Sequence, residues 1–77
     1  MKKNYNVKIE DNGAAYLIVI NPGTPERLVI AAEHTLAAAW NRIYWMYAVE
    51  TQEFDFDGRP VADWAADYRR MRREGLL

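Results

Sequence analysis

The chain has no cysteine and a single histidine among its 77 residues. Without thiols there is no disulfide framework, no thiolate metal site and no thiol redox chemistry. One imidazole alone also leaves a structural zinc site without its ligands. Long apolar runs are missing too. Nothing approaches the roughly 20 apolar residues of a membrane-spanning helix, and the Met-Lys-Lys start is followed by no apolar signal segment. The expectation is a cytoplasmic protein that makes no membrane contact. Charge of one sign is also lacking, since ten Lys and Arg face eleven Asp and Glu for a formal net charge of −1. That balance predicts no general affinity for nucleic acid or anionic lipid.

What the chain does hold is apolar and aromatic side chain, at 51% and 13% of residues. Each aromatic buries about 150–250 Å², so stability has to come from packing. Residues 1–77 make one domain, with no repeat, low-complexity tract or linker. This length is close to the limit at which one core suffices, and homodimerisation is the usual supplement.

The most informative stretch is Thr35 to Glu50, TLAAAWNRIYWMYAVE. Wound at 100° per residue, it puts Leu36, Ala39, Trp40, Ile43, Met46 and Tyr47 on one core-facing stripe. Trp45 falls on the opposite side, with Ala38, Asn41, Arg42, Ala48 and Val49. The helix thus has a second apolar strip, centred on an indole where a one-sided surface helix would carry a charge. Either the rest of the chain covers that strip, through Trp64 and Tyr68, or a partner does.

Upstream, Tyr5 to Glu10 alternate as a strand, with Tyr5, Val7 and Ile9 on one face. Asn12-Gly13 marks a tight turn. Ala15 to Ile20 is continuously apolar and reads as a central strand. Asn21 to Pro25 breaks it, and Arg27 to Ala32 forms a third strand. Thr35 is the best N-cap candidate for the long helix. Downstream, Glu53 to Arg59 reads as a loop or short extended piece turning at Asp57-Gly58, with Pro60 as the first residue of a second helix. That helix gathers Val61, Trp64, Ala65, Tyr68 and Met71 on one face. Gly75 fits a left-handed C-cap, with Leu76 after it closing a Schellman motif on Met71, and Leu77 as a natural terminus. The predicted fold is α+β: a three-stranded antiparallel meander packed by one long helix, then a C-terminal helix, in the order βββαα.

No residue combination supports catalysis. A catalytic role for His34 would need an orienting carboxylate and a nucleophile, and no identifiable pair is available; it reads as a capping or surface residue. Asp55-Phe56-Asp57-Gly58 has a fragment of a calcium loop, but the position needing a bidentate Glu falls on Trp64. The acidic pairs have no room for the cleft a glycosidase needs. No catalytic residue, cofactor or metal ligand is therefore assigned. Recognition is better represented. Glu50, Glu53, Asp55, Asp57, Asp63 and Asp67 crowd an acidic span that contains a single Arg, and Arg69, Arg70, Arg72 and Arg73 follow it. Trp and Arg dominate binding hot spots, so the candidate partner surface is Asn41, Arg42, Trp45 and Val49 with Glu50, Glu53, Asp55 and Asp57. The alternative nucleic-acid element is Arg69, Arg70, Arg72 and Arg73, which could neutralise phosphates. Against it stand Asp63, Asp67 and Glu74 on the same helix.

The segment Val29-Ile30-Ala31-Ala32-Glu33-His34, followed by Ala38 and Arg42, is a strand ending in Ala, a polar cap, then a small residue on the helix. It resembles the strand-to-helix junction of small phage-encoded proteins, some anti-CRISPR proteins among them, though it carries no functional residue across. The resemblance implies a phage or prophage inhibitor, acting without catalysis in the host bacterial cytoplasm on a protein partner such as a CRISPR-Cas effector. The acidic residues would occupy a Lys/Arg surface that otherwise holds nucleic acid. The alternative function is a homodimeric bacterial regulator or antitoxin reading DNA through the C-terminal helix.

Overall fold

The computed structural model describes residues 5–76, so residues 1–4 and Leu77 lie outside the account that follows. The element order is β1 (Asn6–Asp11), β2 (Tyr16–Ile20), β3 (Leu28–Glu33), α1 (Leu36–Ala48), β4 (Asp55–Phe56), β5 (Arg59–Pro60) and α2 (Val61–Arg73). β1, β2 and β3 form the antiparallel meander, with Val7 opposite Ile20 and Ile20 opposite Leu28. Ile18, which joins the core under the helices, and Val19 after it are both fully buried.

The sheet is larger and more mixed than a meander. It has five strands in the order β3-β2-β1-β4-β5, and β4 lies parallel to β1, with Asn6 beside Asp55 and Val7 beside Phe56. The segment read as a loop or short extended piece is thus a two-residue strand and its hairpin partner. Asp57 and Gly58 sit at φ 54 and 86, the paired positive values of a type I′ turn. Pro60 does not open α2. It pairs with Asp55 in β5 at ψ 134, an extended conformation, and the helix begins at Val61. The order is therefore βββαββα, with two short strands between the helices.

The first turn also differs. Four residues join β1 to β2, not a tight pair, and Gly13 alone among them takes positive φ. Asn12 Oδ1 holds this loop by accepting from the backbone N–H groups of Ala14 and Ala15 at 2.9 and 2.8 Å.

Both helices pack on one face of the sheet around a single core. Its centre is Phe54, stacked on Tyr5 with ring centroids 5.4 Å apart. Ile43 and Met46 reach it from α1, Trp64, Ala65 and Tyr68 from α2, and Val7 and Ile18 from the sheet. Leu36, expected in the core stripe, is 37% exposed, because the first turn of α1 overhangs a groove beside the sheet. At the other end of the fold, Gly75 N–H donates to the Arg72 carbonyl at 3.2 Å and Leu76 N–H to the Met71 carbonyl at 2.9 Å. That is the Schellman pairing, with Gly75 at φ 75.

Candidate partner-binding surface

Helix α1 is started by Thr35, whose backbone is extended and whose Oγ1 accepts from the Ala38 N–H at 3.0 Å. From that start the helical turn commits Ala39, Ile43 and Met46 to the core and carries Trp45 away from it. Helix α2 does not cover the strip that results. Its aromatic residues are taken elsewhere: Trp64 packs edge-on to Phe56 at 4.8 Å, and Tyr68 lies against Tyr44 at 5.3 Å. Trp45 is left 43% exposed and Val49 61% exposed.

Asn41 and Arg42 are exposed alongside. Trp45 shares one hollow with Glu33, Ala38, Asn41 and Arg42, and a second with Ile20, Ile30, Ala31 and Glu50. Arg42 spans the two, its Nε 3.6 Å from Glu33 Oε2. Asn41, Arg42, Trp45 and Glu50 thus form one surface, with Val49 one turn further along α1.

The remaining carboxylates are strung out from it. Glu50 itself accepts from Gln52 Nε2 at 3.0 Å, and Gln52 in turn accepts from the Tyr5 hydroxyl. Burial pushes the Tyr5 phenol above its ordinary range, and the charge of Glu50 adds to the shift. Glu53 lines a separate hollow with Tyr47 and Arg69. Asp55 is half-buried on β4, and Asp57 borders the groove that holds Lys8, Asp11 and Arg59. The acidic stretch is therefore a band running from the end of α1 to the β4–β5 turn, with Trp45 at one end of it.

The arginines of α2 are all exposed, but most have partners in the chain. Arg69 donates to the Tyr44 hydroxyl at 3.4 Å, which holds its guanidinium pKa above the usual value. Arg70 lies 3.7 Å from Asp67, and Arg72 sits 5.8 Å from the centroid of the Tyr68 ring. Asp67 also takes Arg59 at 3.0 Å. Arg73 makes no ion pair among the described residues. His34 is exposed and leaves capping to Thr35.

Two features escaped the sequence reading. Leu28, Val29 and Ile30 of β3 face solvent, at 57%, 41% and 40% exposure. A doubly apolar strand that ends a meander is an edge strand by topology, and that was the available signal. The second is the groove lined by Tyr16, Leu36, Trp40, Phe56 and Trp64, whose walls come from elements far apart in sequence. Among the described residues no group of three or more His, Asp and Glu comes together as metal ligands, and no helix is long and apolar enough to cross a membrane. No protein-family model matches the chain, and neither a curated protein nor a solved structure does.

Proposed function

We propose that this chain is a non-enzymatic binding protein of the phage-encoded anti-defence type, which inhibits a CRISPR-Cas effector by occupying a basic surface that otherwise holds nucleic acid. The observation that carries the reading is Trp45, left open on a helix that turns Ala39, Ile43 and Met46 into the core. A half-exposed indole beside Arg42 is the composition of an interface hot spot. The band of Glu50, Glu53, Asp55 and Asp57 supplies the opposite charge that steers encounter and fixes register on a Lys/Arg surface. Glu53 and Asp57 are exposed and can be reversed in charge without touching the core.

Target-DNA binding by purified, guide-loaded Cas effectors, measured with and without the protein, tests this directly. Inhibition is expected, and Glu53→Lys with Asp57→Lys should weaken it about tenfold or more and flatten its salt dependence. A different outcome would sink it: no effector inhibited, and steep salt-dependent binding to random duplex DNA instead. That result would favour the small DNA-binding regulator acting through Arg69, Arg70, Arg72 and Arg73. Three of those arginines already have partners on their own chain, which is why this is the second reading.

A further inference from the structure

Trp64 is packed on rings of its own chain, whereas Trp45 is left out of every ring pair among the described residues. The guanidinium that does sit over a ring, that of Arg72, is on Tyr68. One hollow beside the Trp45 indole is walled by Ile20, Ile30, Ala31 and Met46, with Glu50 in its lining. Charge around this hollow is unbalanced. The guanidinium of Arg42, which also borders it, lies against Glu33, so those two charges offset one another. The Glu50 carboxylate accepts from the neutral amide of Gln52 and forms no ion pair among the described residues. In the other hollow beside the indole, where Glu33 and Arg42 meet, no net charge is left to choose a ligand.

We propose that the hollow between Trp45 and Glu50 seats one arginine side chain of the partner protein, with its guanidinium against the indole and the carboxylate. The uncompensated charge of Glu50 selects a cation, since an anion would meet it unopposed. The apolar walls select a cation on an aliphatic stem, whose methylenes lie along Ile30 and Ala31 while the charged head stays at the rim. The indole selects arginine over lysine. A guanidinium is planar and weakly hydrated, so it stacks on an aromatic face and still presents N–H groups to a carboxylate. An ammonium holds its water more tightly and has no flat face to stack. An inserted leucine would fill the walls but cover Glu50 without giving it a hydrogen-bond donor, which is costly.

The inference rests on the anchoring role of Trp45 in the proposed function and narrows the target. Its basic surface must present an arginine at the anchor, while Glu53 and Asp57 act on the surrounding charge. Arginine binding is measured on the isolated protein, so it can fail while effector inhibition stands, and the reverse.

The test is a nuclear magnetic resonance titration of the isotope-labelled chain with a glycine-flanked peptide carrying one Arg, and with Lys and Leu peptides of the same length. Trp45→Phe assigns the Trp45 indole N–H among the three tryptophan signals. The Arg peptide should shift that signal saturably and bind about threefold or more tighter than the Lys peptide, and the Leu peptide should give no saturable shift. Followed at the backbone amides of Ile30 and Ala31, Glu50→Gln and Trp45→Leu should each weaken the Arg peptide about threefold or more. Glu50 is exposed and Glu50→Gln keeps its size, so that variant carries the test if Trp45→Leu does not fold. Equal affinity for the Arg peptide and either of the others, a response at Trp40 or Trp64 in place of Trp45, or an Arg affinity untouched by Glu50→Gln would each overturn the proposal.

Discussion

Thr51 and Gly75 hold the same left-handed backbone conformation just past the ends of the two helices, at φ 53 and 75. For Gly75 the conformation is free of any Cβ penalty, and an added Cβ would meet nothing within 4 Å. Its replacement by Ala therefore carries a purely conformational cost, about 1 kcal/mol. Thr51 already bears that cost, with a β-branched side chain in a region such residues rarely occupy. Thr51→Gly relieves the strain but loosens the unfolded chain, which leaves a net gain of about 0.5–1 kcal/mol. For a chain of this size, the melting temperature should fall by about 4–8 °C in Gly75→Ala and rise by a few degrees in Thr51→Gly. Equal melting curves would contradict the assignment. Gly75 announced itself in the sequence, since Gly and then Leu after an Arg-rich turn is a cap signature. Nothing about a Thr announces positive φ. It is forced there because α1 ends in a wide turn, in which Gln52 N–H reaches back to the Met46 carbonyl at 3.1 Å.

Among the elements, α1 was the most legible. Its cap at Thr35, its buried stripe of Ala39, Ile43 and Met46, and the turning of Trp45 away from that stripe were all legible, whereas the exposure of Trp45 depends on where α2 packs. Thr35→Ala removes the acceptor for the Ala38 N–H and should cost about 1 kcal/mol, read as a lower urea midpoint with an unchanged slope. A neutral effect would mean that solvent satisfies that N–H as well as Thr35 does. α2 was legible for the same reason, its 3.6-residue period placing Val61, Trp64, Ala65 and Tyr68 inside. The strands β4 and β5 were not. Two residues show no periodicity, and Phe54-Asp55-Phe56 fits an extended loop as well as a strand. What makes β4 a strand is the edge of β1, supplied from the opposite end of the chain: Asp55 N–H donates to the Tyr5 carbonyl at 2.9 Å and Asp57 N–H to that of Val7 at 3.0 Å. The acidic band was visible as composition, but its spread was not. Its members sit on a helix end, a strand and a turn, and only the tertiary fold sets the distances between those.

Across the whole molecule, one side chain joins everything that the short segments bring in. Phe54 is 2% exposed, stacks on Tyr5, and lies in the core that both helices share. Truncation of a buried Phe to Ala costs about 3–5 kcal/mol. Domains as a class have about 5–15 kcal/mol of stability, and small ones sit at the low end of it. Phe54→Ala should therefore be largely unfolded at 37 °C, with flat far-ultraviolet melting and rapid proteolysis. A cooperative transition near that of the parent chain would show that the core tolerates the loss.

The parallel ladder between β1 and β4 also has a consequence for the order in which the protein can be made. A ribosome delivers Asn6 and Val7 before α1, but their neighbours Asp55 and Phe56 only after α1 is complete. Until then the first strand has one flank bare, and the six-residue β1 stands at an edge that the two-residue β5 later occupies. The sheet is therefore closed late, by a segment of two residues that follows the first helix.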